Sequence, residues 1–173
     1  MHTLVEPVYA VLSITPERWQ RLVGALPPDL LSRPPAPGEW SALDCLRHLL
    51  DAERVNFPAR FQAFLAGRDF EPFDPNRARP ELEALAPEQL FAAFTHERQQ
   101  SLALLERVND EDLARTVRHP QFGPVTLAQL LNTWAGHDLM HTVQAERALM
   151  QPFMLACGPW RSFFQDHEIS VEK

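Results

Sequence analysis

Residues 126–150 read TLAQLLNTWAGHDLMHTVQAERALM. Thr126 with Gln129 three residues on forms the T-x-x-Q signature of a capping box, so a helix is expected from about Leu127 to Met150. Along it Leu130, Trp134, His137, His141, Gln144 and Ala148 recur at alternating steps of four and three. Residues at that spacing share one stripe of a helix. Leu130, Trp134 and Ala148 are apolar, so the stripe is expected to face the interior of a bundle, and His137 and His141 stand where core residues belong.

The remaining chain supplies three more long helices. TPERWQRLVGAL begins with Thr15 as N-cap and Pro16 at the first helical position, followed by Trp19, Leu22, Val23 and Leu26 at helical spacing. Ser41, with Asp44 three residues on, opens a second helix through ALDCLRHLLDAERVNFPARFQAFLAG, where Pro58 predicts a kink and Gly67 a stop. APEQLFAAFTHERQQSLALLERV, with Pro87 near its start, is the third. NDEDLART adds a turn, VRHPQFGPV reads as a loop or short extended piece, and GPWRSFFQDHE as a short fifth helix. The 16 prolines gather in connectors such as PPDLLSRPPAPGEW. The predicted fold is all-α: an antiparallel four-helix bundle with a short additional C-terminal helix, forming a single domain over residues 1–173.

Composition narrows the function. The chain has 173 residues, 45% of them hydrophobic and 23% charged, which suits one soluble globular domain. A net charge of −7 and a pI near 5.5 argue against nucleic acid or an anionic membrane as partner. No apolar run approaches the ~20 residues that span a bilayer. MHTLVEPVYAVLSITPERW lacks a basic start and an apolar centre, so no signal peptide is expected. Cys45 and Cys157 form no CxxC pair, and a cytoplasmic, reducing location is expected.

On the second helix the corresponding stripe is Ser41, Cys45, His48, Ala52, Val55 and Ala59. The small neighbours Cys45 and Ala52 leave a hollow beside His48. Three neutral imidazoles, His48, His137 and His141, facing that hollow with one position open would make a catalytic-type divalent metal site. For each histidine taken singly, a hydrogen-bonded core residue is the alternative. Asp138 points ~100° away from its neighbouring ligand and reads as surface, or else as an outer carboxylate or salt-bridge partner. Gln144 either contacts substrate or water, or satisfies a buried group. Cys45 reads as a small buried hydrophobe, and Asp51 and Glu53 lie off the His48 stripe. His2, His96, His119 and His167 read as structural, Trp40 as a packing anchor at the bundle end, and RDFEPFDPNRARP as a solvated loop. Phe57, Phe61, Phe64, Phe91 and Phe94 read as core. No H-E-x-x-H glutamate stands between His137 and His141, so protease-type base chemistry lacks its usual group.

PGEWSALDCLRHLLDAE followed by TLAQLLNTWAGHDLMHTVQAE resembles the DinB-like (YfiT-like, damage-inducible) metal-binding family, which is unrelated to the DNA polymerase sharing that name. Trp40-Ser41, His48 and the H-D-x-x-H-x-x-Q run of His137, Asp138, His141 and Gln144 carry the resemblance, which extends from about Thr15 to Met150. It implies a four-helix bundle, often a homodimer, with a divalent ion on His48, His137 and His141. Imidazole ligands suit zinc, nickel, iron and copper alike, and the sequence does not distinguish zinc, nickel, iron or manganese as the ion. The resemblance also implies an enzyme acting on a small molecule, first of all a transferase using a low-molecular-weight thiol of the bacillithiol or mycothiol type. A metal-dependent hydrolase and a non-catalytic metal- or ligand-binding stress-response protein are the alternatives.

Overall fold

The computed structural model describes residues 4–71 and 79–169. Its elements in chain order are α1 (Val5–Ala25), α2 (Pro28–Leu31), α3 (Ala42–Val55), α4 (Phe57–Leu65), α5 (Pro80–Glu83), α6 (Pro87–Leu105), α7 (Asp110–Leu113), β1 (Thr116–His119), β2 (Gly123–Thr126) and α8 (Leu127–Ala156), closed by a 3₁₀ segment, Gly158–His167. His2 and most of the RDFEPFDPNRARP loop lie outside the described residues.

Both capping boxes form as their sequences require. Gln129 Oε1 accepts from the Thr126 amide at 2.8 Å while Thr126 Oγ1 accepts from the Gln129 amide at 3.2 Å. Ser41 and Asp44 exchange the same pair of bonds at 3.0 and 3.2 Å. Each box satisfies two amides that a helix start leaves orphaned. The second long helix does break, at Asn56, two residues before Pro58. It stops at Gly67, whose φ of +63° suits glycine, with the Arg68 amide reaching back to the Ala63 carbonyl at 2.9 Å. The predicted inward stripe ends early: Val55, the last residue of α3, is 44% exposed, and Ala59, beyond the break, is exposed.

The first helix departs further from expectation. Thr15 is not its N-cap: α1 starts at Val5 and runs through Pro16. A mid-helix proline ordinarily removes one hydrogen bond and strands the carbonyl four residues back. Here that carbonyl, Leu12 O, accepts from Arg98 Nη1 of α6 at 2.9 Å, so the break is repaired from outside the helix. VRHPQFGPV forms a small antiparallel hairpin in which Val117 faces Val125. The fourth long helix extends past Met150, through Pro152, to Ala156.

α1 packs on α6 and α8, and α3 packs on the same two helices, so α1 and α3 sit diagonally. The antiparallel pairs are α1/α6 and α3/α8. Tyr9 reaches Glu106 while Leu12 reaches Arg98; His48 meets His137 while Phe57 stacks on Trp134. The core has two apolar clusters, one around Leu12, Phe61, Phe64 and Trp134, the other around Trp19, Leu46, Phe94 and Leu149. The guanidinium of Arg98 lies between them, over the ring of Trp134 in the first and of Phe94 in the second.

Candidate metal centre

α3 and α8 carry the three histidines to one point. His48 Nε2 and His137 Nε2 stand 3.0 Å apart. The ring centroids of His141 lie 4.5 Å from His48 and 4.4 Å from His137. One ligand atom from each of the three falls within 4.8 Å of the others. His141 is buried, and His48 and His137 are half-buried.

Each ring is held differently. Gln144, one turn past His141, places its Oε1 2.8 Å from His141 Nδ1. An amide oxygen only accepts, so His141 carries its proton on Nδ1 and turns a free Nε2 lone pair inward. His137 is positioned by packing, with the edge of Phe57 at 5.1 Å, and its Nδ1 is buried without a hydrogen-bond partner. Trp40 stacks on His141 at 5.6 Å and leans over His48 at 5.0 Å. The residue expected to anchor the bundle end is therefore a wall of the site, 37% exposed.

Burial disfavours the imidazolium form. It pushes His48 down to about 4, helped by His141 and opposed by Asp51. It pushes His137 down to about 3, with His141, His48 and Arg98 adding to the effect. His141 is lowered too, mainly by burial, against the Gln144 bond. All three are therefore neutral near pH 7, the form that binds a metal ion. In a tetrahedral zinc site, ligand nitrogens at ~2.05 Å from the ion stand about 3.3 Å from one another. The donor set fits a divalent ion in kind, protonation and spacing. Cys45 does not join the cluster; it is fully buried, and burial, with Asp44 adding, pushes its thiol up to about 12.

The sequence profile of the DinB superfamily matches residues 12–145. The chain belongs to the DinB superfamily. Among solved structures it is similar to YfiT from Bacillus subtilis, described as a probable metal-dependent hydrolase with an unusual four-helix bundle topology. The likeness has a TM-score of 0.76 at 19% identity and covers 88% of this chain and 90% of that one. No curated protein matches the sequence.

Around the histidines, this DinB-superfamily chain buries charges that its sequence did not advertise. Asp138 is not on the surface: it is 1% exposed. The turn of ~100° that takes it off the histidine stripe points it at α6, where Arg98 donates to it through Nη1 at 2.6 Å and Nη2 at 3.1 Å. Glu53, off the His48 stripe as read, accepts from the other side of the same guanidinium at 2.8 and 2.9 Å. With Leu12 O, all five N–H donors of Arg98 are used. Burial works against its charge, but Asp138 and Glu53 outweigh it and raise its pKa above the ordinary arginine value. Asp51, also buried, pairs with Arg79 at 2.7 Å. A usable signal for Arg98 lay in α6, where Leu90, Phe94, Arg98, Ser101 and Leu105 recur at helical spacing, so a cation interrupts an apolar stripe. His96 and His119 stand apart from the centre: His96 bonds Gln100, and His119 accepts from the Gln121 amide beside the hairpin turn.

Proposed function

We propose that this chain is a divalent-metal-dependent enzyme in which His48, His137 and His141 hold the ion and a low-molecular-weight thiol, of the bacillithiol or mycothiol type, is transferred to a small electrophile. When bound, the ion supplies Lewis acidity that lowers the pKa of a thiol or water at its open position. His141, locked by Gln144, and His48 and His137, kept neutral by burial, present lone pairs rather than protons. Trp40 offers an aromatic wall against which an apolar electrophile can lie.

One observation carries the choice of thiol over water. Among the described residues, Asp51 acts electrostatically on His48 and Asp138 on His141. Each is already bonded to an arginine, Arg79 or Arg98. Neither is left as a general base to assist the ion. Without one, the ion ionises a thiol more readily than water, because a free thiol starts near ~8.5 and water near ~15.7.

Metal-reconstituted protein incubated with bacillithiol or mycothiol and a fluorogenic halide is expected to form the thioether faster than the uncatalysed mixture. Rates equal to background with every thiol would sink the transferase reading. Metal-assisted hydrolysis is the second reading, favoured by the description of YfiT. It would be carried by metal-dependent turnover of an ester or amide panel. Stoichiometric metal without turnover in either assay points to a binding protein. No helix among the described residues is long and apolar enough to cross a membrane, and the net charge of −7 favours a small molecule over nucleic acid as partner.

A further inference from the structure

Glu53, Arg98 and Asp138 sit on α3, α6 and α8, and the bond from Arg98 to Leu12 brings in α1, so one guanidinium touches all four long helices. The side chains of all three charged residues are 1% exposed. Two of them share helices with the histidines: Glu53 lies five residues after His48, and Asp138 lies between His137 and His141. Two carboxylates against one guanidinium leave the assembly with a formal net charge of −1 inside the bundle. Both carboxylates accept through both oxygens, so an amide in place of either would lose one of these bonds as well as the charge. Nothing within the assembly offsets the surplus charge. Asp138 stands next to His137 in the chain and three residues before His141, so the surplus charge is held on the helix that carries two of the three imidazoles.

We propose that the Glu53–Arg98–Asp138 assembly is the buried counter-charge of the metal centre, its surplus negative charge offsetting part of a divalent cation held by His48, His137 and His141. This rests on the metal reading given above. Opposite charges attract strongly where water is excluded, and the attraction weakens only slowly with distance there. Glu53 and Arg98 are positioning and charge-setting residues; neither needs to touch the ion.

The prediction has opposite signs for two substitutions in the same assembly. Glu53→Gln removes the surplus charge and is expected to raise the zinc dissociation constant at least about tenfold. Arg98→Gln removes the cation instead and is expected to leave zinc affinity at the wild-type value or tighter. Glu146→Gln, which removes a carboxylate from an exposed pair with Arg18, is expected to change it by less than about twofold. Zinc affinity is read by competition with a chromophoric chelator, alongside thermal unfolding of the metal-free proteins. A purely structural assembly would weaken binding in both buried variants, and that result overturns the proposal, as does wild-type affinity in Glu53→Gln. Should the buried variants unfold without metal, zinc-induced refolding is followed by circular dichroism. Refolding of Arg98→Gln at lower zinc than Glu53→Gln then supports the proposal, and the reverse order overturns it. Wild-type protein that takes up no zinc sinks the metal reading itself, a result distinct from either.

Discussion

At the scale of single residues, the centre depends on small orienting contacts. Gln144 fixes the tautomer of His141 through one bond of 2.8 Å. Losing an outer partner of a ligating histidine typically weakens metal binding ~10–100-fold, and Gln144→Ala is expected to do so in a chelator competition. His137→Ala, which removes a ligand, should weaken it by more than that; full metal occupancy in this variant would show the ligand set to be wrong. The depressed imidazoles give the metal-free protein an acid limb. The unfolded chain takes protons on His48 and His137 near the ordinary 6.5, whereas the folded chain resists until about 4 and about 3. Their contribution to stability is therefore complete above about 6.5 and lost as pH falls from there toward 3. Urea midpoints of metal-free protein should drop between pH 7.5 and 5; a flat profile would contradict buried neutral imidazoles. The three histidines were legible because helical periodicity alone assigns them a face. Trp40 was not, since it precedes the helix and no period tells which way a loop side chain folds.

At the scale of elements, α3 and α6 hold two arginine–glutamate pairs that allow an internal comparison. Arg54–Glu97 is solvent-facing, with side chains 36% and 27% exposed, and Arg98–Glu53 is 1% exposed on both sides. Breaking an exposed pair costs at most about 1 kcal/mol, while removing one partner of a buried pair costs about 3–5 kcal/mol because a charge is left unpaired. Chemical denaturation of Arg54→Ala and Arg98→Ala should reproduce that contrast. Equal losses would mean that the buried assembly is hydrated in solution. The capping boxes at Thr126 and Ser41 and the stop at Gly67 were readable because each is settled by residues within a few positions. The start of α1 was not. Pro16 looks like a first-turn proline, and what makes it tolerable in mid-helix is a guanidinium 86 positions beyond Leu12, the residue whose carbonyl it frees.

At the scale of the whole molecule, His48 on α3 and His137 and His141 on α8 tie two long helices to one point, so an ion bound there would stabilise the bundle. A ligand at one hundred times its dissociation constant adds ~2.7 kcal/mol to the folded state, and for a chain of this size each kcal/mol moves the melting point by ~2–4 °C. Stripping the ion with a chelator should therefore lower melting by about 5–10 °C, a difference that His137→Ala should abolish in calorimetry. The proline within α1 bears on assembly as well. A helix carbonyl with no donor of its own is a socket, and Arg98 is its plug. If α1 slid by one turn, ~5.4 Å, the socket would face apolar side chains and a buried N–H would go unmet. Misregistered bundles are thus disfavoured at a single atom, and one missing hydrogen in the sequence becomes an address for the neighbouring helix.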